Sequence, residues 1–498
     1  MGKKSKISDC ISIDPAKVIV HAGLKFGGVF VLHQIAKRLK ITEALDHGRN
    51  GKLISWLIYS RLLFQGSRLM AARLSKRYAV KSVLDLDSFS EDHLYEAMDW
   101  LTENQKGIED KLNPVKEKNA GGLFLYDVTS CYFEGEQNEL ADYGYNRDGK
   151  KGKKQIVIGL LTDSNGEPLS IEVFRGNTAD PRTCSARIEE IKKQFGSKTI
   201  TLVGDRGMIK GSQIEAVINQ GWNYITAITK SQIEKLLRTG VFQLELFDED
   251  VHEIIDQGVR YVVRRNPLRA EELQETRLNK IKKLQEIAID KTAYLAKHTR
   301  AKEDTIQNHL DKQAEKLKIK DLIEIKITNR IVTISVNKET LEEAKQLDGC
   351  YVIKTNITDA EKLTAQEIHD RYCDLTQVEW AFRTMKTTFL ENRPIYHRKE
   401  SRTRAVCFIS MLAYKIAREI SKSLSPYTKE LIKLISVNEK EISNQVFPLK
   451  DILGELDMIQ ETFWKMEDVV LPIILAPSKI GEKILSVLKI KLPVSKPA

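Results

Sequence analysis

The spacing of hydrophobic positions changes several times along the 498 residues. From about residue 25 to 118, charged positions separate hydrophobic ones at helical intervals, as in LHQIAKRLKITEAL and DHLYEAMDWLTENQKGIEDKL. This pattern predicts a helical N-terminal domain over residues 1–118. The string IAKRLKIT fits a helix-turn-helix element, which would make this a DNA-binding domain, and it fits a plain amphipathic bundle helix equally well.

Residues 119–231 have a different pattern, in which short hydrophobic runs typical of β-strands alternate with turns and helical stretches. The runs are LFLYD, QIVIGLLT, PLSIEVF, TITLVGD and NYITAIT. The NG pair in DSNGEP, between the second and third runs, suits a hairpin turn. Asp180 and Pro181 predict the N-cap and first residue of a helix that runs to about Phe195. This segment therefore predicts a mixed α/β sheet whose first three strands are antiparallel.

Residues 232–345 interrupt the α/β pattern with β-like pieces around a highly charged helical stretch. The β-like pieces are VRYVVRR, IEIKIT and RIVTISV, and the charged stretch runs from about Ala270 to Lys318. Its composition predicts a solvated helical arm, with DNA contact as the alternative. The α/β pattern resumes with CYVIKTN at residues 350–356, and we expect residues 346–424 to form the second part of the α/β core. We expect a helical C-terminal region over residues 425–498, in which the apolar run VVLPIILAP belongs to the core.

Composition narrows the classes of function. Hydrophobic residues make up 42% and charged residues 30%, which is typical of a soluble globular chain. The net charge of +10 favours polyanionic partners without requiring them. The six cysteines form no C-x-x-C pair, so neither a zinc knuckle nor a disulfide framework is indicated. Without a signal-peptide pattern or an apolar run of membrane-spanning length, the sequence predicts a cytoplasmic protein with no membrane partner.

Two predicted strands lead into an aspartate. Asp127 follows the buried-looking run LFLY, and Asp205 follows TITLVG. An unpaired buried carboxylate is costly, so such a residue calls for an N-cap role, an arginine or a metal ion. If the strands are neighbours, both carboxylates meet at one sheet edge, and oxygen ligands without His or Cys favour Mg²⁺ or Mn²⁺. The alternative for Asp205 is an ion pair with Arg206.

A third acidic candidate lies in RYCDLTQVEWAFRTMK, residues 371–386. At 100° per residue, Tyr372, Glu379 and Lys386 fall on one stripe of a helix. A neighbouring hydrophobic stripe would anchor the helix to the core and direct Glu379 along the first stripe. The alternative is an amphipathic helix whose Glu and Lys side chains only face water.

These motifs, in order, resemble the DDE transposases of bacterial insertion sequences. The succession is YDVTS, GNTAD, VGDRGM, DGCYVIKTN and Y-x2-L-x3-E-x6-K, followed by RPIYH, over about residues 95–415. It is most similar to the branch with a Y-x2-R-x3-E-x6-K signature. The resemblance implies an RNase H-like mixed-sheet core, interrupted by a mostly β insertion, with Asp127, Asp205 and Glu379 as catalytic residues and metal ligands.

The resemblance also implies the chemistry and the partners. Two Mg²⁺ or Mn²⁺ ions about 4 Å apart, bridged by a carboxylate such as Asp127, would activate water or a DNA 3′-hydroxyl and stabilise the leaving oxygen. Hydrolysis frees the 3′ ends of the transposon, and these hydroxyls then attack target DNA. The implied partners are double-stranded DNA, both terminal repeats and target, and further copies of the chain in a homodimer or larger synaptic assembly.

One position departs from the signature, because Leu375 stands where the branch has arginine. Leu375 lies next to the hydrophobic stripe and can join the packing. Arg371 or Arg383 could supply the missing cation, and Arg383, one turn beyond Glu379, is the preferred substitute.

Other positions fit a DNA path. The family assigns Tyr372 and Lys386 to the DNA backbone, and a phenol and an ammonium both suit phosphate oxygens. The clusters YNRDGKKGKKQ and RPIYHRKESRTR could either bind phosphates or serve only solubility. In the first cluster, the predicted DNA-binding residues are Arg147, Lys150, Lys151, Lys153 and Lys154. In GNTAD, Asn177 and Asp180 are expected to be turn and cap residues rather than ligands.

Three functions fit this sequence. The leading hypothesis is a metal-dependent DNA transposase. A structure-selective nuclease with the same RNase H-like core, but without strand transfer, is the second. The third is a non-catalytic DNA-binding protein derived from a transposase.

Overall fold

The computed structural model describes residues 18–113, 122–184, 188, 200–247, 251–388, 390–435, 449–466 and 469–493. The helices, in chain order, are α1 (Gly27–Arg38), α2 (Ile41–Ala44), α3 (Arg49–Leu63), α4 (Arg68–Leu74), α5 (Val80–Leu84), α6 (Glu91–Leu112), α7 (Gly211–Asn219), α8 (Lys230–Arg238), α9 (Pro267–Lys297), α10 (Glu303–Leu317), α11 (Lys338–Gln346), α12 (Ala365–Cys373), α13 (Leu375–Arg383), α14 (Glu400–Leu424), α15 (Thr428–Ile435), α16 (Leu449–Asp457) and α17 (Lys479–Leu488). The strands are β1 (Val18–Lys25), β2 (Leu123–Tyr132), β3 (Gln155–Asp163), β4 (Pro168–Arg175), β5 (Thr201–Gly204), β6 (Asn223–Ala227), β7 (His252–Asp256), β8 (Val259–Arg265), β9 (Ile323–Thr328), β10 (Ile331–Val336), β11 (Cys350–Thr355), β12 (Gln460–Met466) and β13 (Val469–Ile474).

The chain forms two compact units. The first contains residues 1–200, 211–220 and 374–498, and the second contains residues 201–210 and 221–373. Within the described residues, no helix combines the length and apolarity needed to cross a membrane.

The antiparallel sheet of the first unit has the strand order β4-β3-β2. The predicted hairpin between β3 and β4 is confirmed, and Gly166 takes the positive φ of 73° at its turn. Strand β2 does not end at Asp127, because the buried apolar residues beyond it continue to pair with β3 as far as Tyr132. Asp127 therefore lies in the middle of a strand, opposite Leu160.

Helices cover this sheet in the first unit. Helix α14 packs against α3, α6 and β4. From Ala405 to Ala417 every residue of this helix is buried, and most of these side chains are apolar, such as Phe408 and Met411. Helix α1 packs against α3 and α14 as a bundle helix. The predicted helical N-terminal region is thus confirmed for α1–α6. The predicted helix from Asp180 to Phe195 begins as expected, and most of its length lies outside the described residues.

The first unit also contains a sheet that the sequence interpretation missed. Strands β1, β12 and β13 form an antiparallel sheet in which Val18 pairs with Met466. The prediction of a helical region over 425–498 was therefore wrong at β12 and β13, while α15, α16 and α17 lie in the same region. These runs are rich in β-branched and aromatic residues. Pairing of β12 with β1 from the distant N-terminal region, and of β13 with β12, stabilises them as strands.

The second unit has its own mixed sheet, with the strand order β5-β6-β11-β8-β7. Strands β5 and β6 are parallel, and the other neighbouring pairs are antiparallel. Together with the antiparallel strands of the first unit, this arrangement confirms the predicted mixed α/β class. The run VRYVVRR, assigned to the insertion, is strand β8 of this sheet.

The charged stretch 270–318 is only partly solvated. It forms helices α9 and α10, which pack against each other and against the β9–β10 hairpin. Leu284, Leu295 and Leu310 are fully buried in the core that these elements share. The prediction of a solvated arm was wrong because each helix has a narrow stripe of widely spaced hydrophobic residues, which is difficult to recognise among the many charged residues of the sequence.

The hairpin turn provides a test of the fold. Gly166→Ala should destabilise the protein by about 1–3 kcal/mol, because a non-glycine residue at this φ is strained. In addition, the new Cβ would lie 2.7 Å from Cβ of Gln377. As the matched control, Gly107→Ala inside α6 places its Cβ where nothing lies within 4 Å. It should stabilise the protein by about 0.4–1 kcal/mol. Urea unfolding measures both changes, and equal effects would contradict this account.

Candidate active site

Asp127 lies on β2 with its side chain half-buried between buried neighbours. Its Oδ1 accepts a hydrogen bond of 2.8 Å from the backbone N–H of Val128. Because side chains alternate along a strand, Asp127, Thr129 and Cys131 share one face of β2. A carboxylate in the middle of a paired strand has little conformational freedom, which suits a ligand that must be held in place.

Glu379 lies on α13, which packs against β2 in the first unit. Leu375, Val378 and Phe382 are buried and form the face of α13 that anchors the helix. The prediction that Leu375 joins the packing is confirmed. Glu379 itself is exposed. The first unit thus places two of the acidic candidates on a strand and a helix that are packed together.

Lys386 lies just beyond α13 and is bound to the same strand. Its Nζ donates to Oγ1 of Thr129 at 2.9 Å and lies 2.7 Å from Oδ1 of Asp148. The Asp148 side chain is completely buried, and it also forms an ion pair with Arg393 and accepts from the backbone N–H of Tyr132. Lys386 therefore fixes the end of the α13 segment to the strand that carries Asp127.

The helix around Glu379 is less regular than the sequence pattern predicted. A turn at Asp374 separates α12 from α13, and residues Thr384–Thr388 form a π-helical turn. A π turn contains more residues than an α turn, so Glu379 and Lys386 do not lie on one straight stripe. The prediction that Tyr372, Glu379 and Lys386 lie on one continuous helical stripe was therefore wrong. The ion pair with Asp148 and the hydrogen bond to Thr129 are interactions that spacing alone does not encode.

Asp205 belongs to the second unit, where it follows β5 directly and is exposed. Its Oδ1 accepts a hydrogen bond of 2.7 Å from the backbone N–H of Arg206. Within the described part of the chain, Arg206 and Asp205 form no side-chain ion pair. The Tyr372 hydroxyl donates to the Asp205 carboxylate, and burial followed by the Asp205 charge raises the pKa of Tyr372 well above its ordinary value. The phenol therefore stays protonated and orients the carboxylate.

The predicted DNA-binding cations differ in how they are held. Arg147 forms an ion pair of 2.5 Å with Asp180, and Lys153 pairs with Glu134 at 2.9 Å. Lys151 is exposed. Three further cations lie over aromatic rings at 5.7 to 5.8 Å from the centroid: Lys150 over Tyr132, Lys154 over Tyr143, and Arg383 over Trp380.

The residues fit a hard divalent cation by chemistry, since every candidate ligand offers carboxylate oxygen. Asp127 and Glu379 belong to the first unit and Asp205 to the second. Taken within each unit, the described residues bring together no group of three metal-ligating side chains.

Sequence reasoning missed Asp148, which has the most buried carboxylate of this region. It lies in YNRDGKK, where the surrounding basic residues suggested an exposed loop that binds phosphates or serves only solubility. A single acid inside a run of cations was the available signal. Its partners Lys386 and Arg393 follow more than two hundred residues later, so the pairing depends on the tertiary fold.

Asp148→Asn should destabilise the protein by about 3 kcal/mol, since it leaves two cations around a buried site without their shared anion. The exposed pair of Glu134 and Lys153 provides the control. Glu134→Gln should change the unfolding free energy by less than about 1 kcal/mol. Chemical denaturation measures both variants, and an Asp148→Asn effect as small as that of the control would contradict the structural role.

Comparison with known proteins identifies the family. The family model of the transposase DDE domain matches residues 119–416. A solved structure, the cryo-EM structure of the piggyBac transposase synaptic complex with hairpin DNA, is similar with a TM-score of 0.36 and 10% sequence identity, covering 86% of this chain and 70% of that one. No curated protein is similar enough in sequence to count as a match. Because the family model spans more than half of the sequence, this chain belongs to the DDE transposase family.

Proposed function

We propose that this DNA transposase is encoded by a bacterial insertion sequence and belongs to the branch with the Y-x2-R-x3-E-x6-K signature. It would cut DNA at the transposon ends and join the freed 3′ ends to target DNA. The observation that carries the proposal is that all three acidic positions of the family motif are filled, within the matched residues 119–416. A decayed, non-catalytic descendant would be under no constraint to keep them.

Asp127, Asp205 and Glu379 are the proposed metal ligands. In support, Asp127 and Glu379 lie on elements that pack together, and a tyrosine orients Asp205. Mg²⁺ or Mn²⁺, two ions in each active site, would supply a Lewis acid for phosphoryl transfer when bound. The transfer needs no covalent enzyme intermediate, so the protein contributes positioning and charge.

Lys386 and Arg383 are the proposed contacts to the DNA backbone near the cleaved end. Lys386 is held beside Asp148, so a DNA phosphate would replace one carboxylate oxygen as the partner of its ammonium. Asp148 would then keep Arg393 as a partner and remain neutralised. Arg383 is exposed, which supports its proposed substitution for the arginine that Leu375 replaces.

Tyr372 and the cluster of Arg147, Lys150, Lys151, Lys153 and Lys154 complete the proposed DNA path. The lysines lie on an exposed loop next to β3, where each neutralised phosphate releases counterions and strengthens binding. The active form would be a homodimer or a larger synaptic assembly that holds both transposon ends.

The catalytic proposal predicts that Asp127→Asn, Asp205→Asn and Glu379→Gln each lower the rate of DNA cleavage by roughly a thousandfold or more, equivalent to about 4 kcal/mol of transition-state stabilisation. DNA binding should persist, because amides keep the shape of the side chains. The exposed Glu275→Gln is the matched control and should cleave normally. Rates are measured with Mg²⁺ on DNA that carries the ends of the element, and cleavage retained by any of the three variants would refute that residue's role.

A second measurement distinguishes a transposase from a nuclease that cleaves DNA without strand transfer. A pre-cut oligonucleotide with a free 3′-OH should be joined to plasmid DNA by the wild-type protein. Cleavage without joining would favour a structure-selective nuclease. Binding without either reaction would favour the non-catalytic hypothesis.

If Lys151 contacts a DNA phosphate, its replacement should make the DNA affinity of the protein less dependent on salt concentration. Lys151→Gln should reduce the slope of log K against log salt concentration by about 0.9, the value for one lost phosphate contact. Lys282→Gln, an exposed lysine on α9, should leave the slope unchanged. Fluorescence anisotropy with duplex DNA measures the slopes, and equal slopes for wild type and Lys151→Gln would remove Lys151 from the path.

A further inference from the structure

A cavity of about 320 Å³ in the first unit is lined by three arginines and a histidine, together with one carboxylate, that of Glu391. None of the three acidic candidates of the active site lines it. The polar side chains that matter are Arg61 from α3, Arg68 from α4, and Asn392, Arg393 and His397 from the segment after α13.

Among the residues that the structure describes, two guanidinium groups of this cavity form no ion pair. Arg61 is only 8% exposed, and among the described residues it forms neither a hydrogen bond nor an ion pair. Arg68 donates to Nε2 of His397 at 3.0 Å and to the carbonyl oxygen of Gly66 at 3.1 Å, both of them neutral acceptors. The charge of Glu391, which lines the same cavity, acts on Arg61, and the charge of Glu91 acts on Arg68, but among the described residues neither carboxylate forms an ion pair with these arginines.

The burial of these charges is costly. Burial, reinforced by the charge of Arg68, lowers the pKa of Arg61 to about 9. Burial and the same positive surroundings lower the pKa of His397 to about 3. A buried cation without a partner costs several kcal/mol, and proteins keep such groups where a ligand supplies the missing charge.

Asn392 provides a second, independent observation. Its side chain is 4% exposed and lines the cavity, and its Oδ1 has no hydrogen-bond partner among the described residues. Its Nδ2 contacts Sγ of Cys407 at 3.6 Å. The two ends of an amide are interchangeable by a flip, which would let the oxygen accept from the thiol and turn the NH₂ donors into the cavity.

We propose that this cavity binds a phosphate group, either a diester of the DNA backbone or a free anion. The forked donors of Arg61 and Arg68 match phosphate oxygens, and the anion would neutralise the buried charge. The volume is at the lower end of the range for ligand sites, which suits one phosphate with its attached sugar. This site goes beyond the proposed phosphoryl-transfer centre and requires none of its carboxylates.

The test compares thermal unfolding of the full chain in inorganic phosphate and in chloride at equal ionic strength. Phosphate should raise the Tm of the wild type with a saturable dependence on concentration. Arg61→Met and Arg68→Gln should lose this increment, and Arg73→Gln, an exposed arginine of the same α4, should keep it. In chloride, Arg61→Met should be at least as stable as wild type, because an unpaired buried charge has been removed. An equal phosphate increment in wild type and Arg61→Met would overturn the proposal.

A second measurement covers the case in which Arg61→Met does not fold. Calorimetric titration of the wild type with phosphate should show saturable binding, and Arg61→Lys, which keeps the charge but loses the fork, should bind at least about tenfold more weakly. Absence of saturable binding by the wild type would overturn the proposal.

The source of the phosphate is distinguished by repeating the unfolding experiment with saturating duplex DNA. Loss of the phosphate increment shows that a backbone phosphate occupies the cavity, and an unchanged increment shows that the site takes free anions. Catalysis is not measured in either arm, so failure of this proposal leaves the transposase proposal unaffected.

Discussion

The requirement that a buried charge must have a partner shapes the first unit around Asp148. A fully buried carboxylate is stable there because Lys386, Arg393 and a backbone N–H surround it. Lys386 and Arg393 both lie in the chain segment that follows Glu379, and the backbone N–H belongs to Tyr132 on β2. The same contacts therefore attach that segment to β2 and fix the helix that carries one proposed metal ligand against the strand that carries another.

The second unit meets the same requirement in another way. Arg260 on β8 is fully buried, and it pairs with Glu253 and donates to the carbonyl oxygen of Leu363 at 2.7 Å. The carbonyl belongs to the loop before α12, the helix on which Tyr372 reaches Asp205. By contrast, Arg61 in the first unit has no such partner in the described part of the chain. Arg260 has a carboxylate that neutralises its charge, and Arg61 has none among the described residues. This difference is the reason for proposing that the cavity around Arg61 binds an anion.

Much of the fold was predictable because local patterns determine it. The hydrophobic runs of β2, β3 and β4 and the NG turn encode an antiparallel sheet, and the acidic motifs led to the correct family. The errors have a common cause, which is that distant segments decide the outcome. Strand β12 exists as a strand because it pairs with β1, more than four hundred residues earlier. The burial of Lys386 likewise depends on Asp148, and the π turn that displaces Lys386 from the predicted stripe has no reliable sequence signal.

The central claim is that three carboxylates hold divalent ions for phosphoryl transfer, and direct metal binding tests it without any assay of activity. Electron paramagnetic resonance of Mn²⁺ with the protein and duplex DNA counts the bound ions. The account predicts two ions per chain in the wild type, with binding weakened in Asp127→Asn, Asp205→Asn and Glu379→Gln. Mn²⁺ binding that is unchanged in all three variants would contradict it.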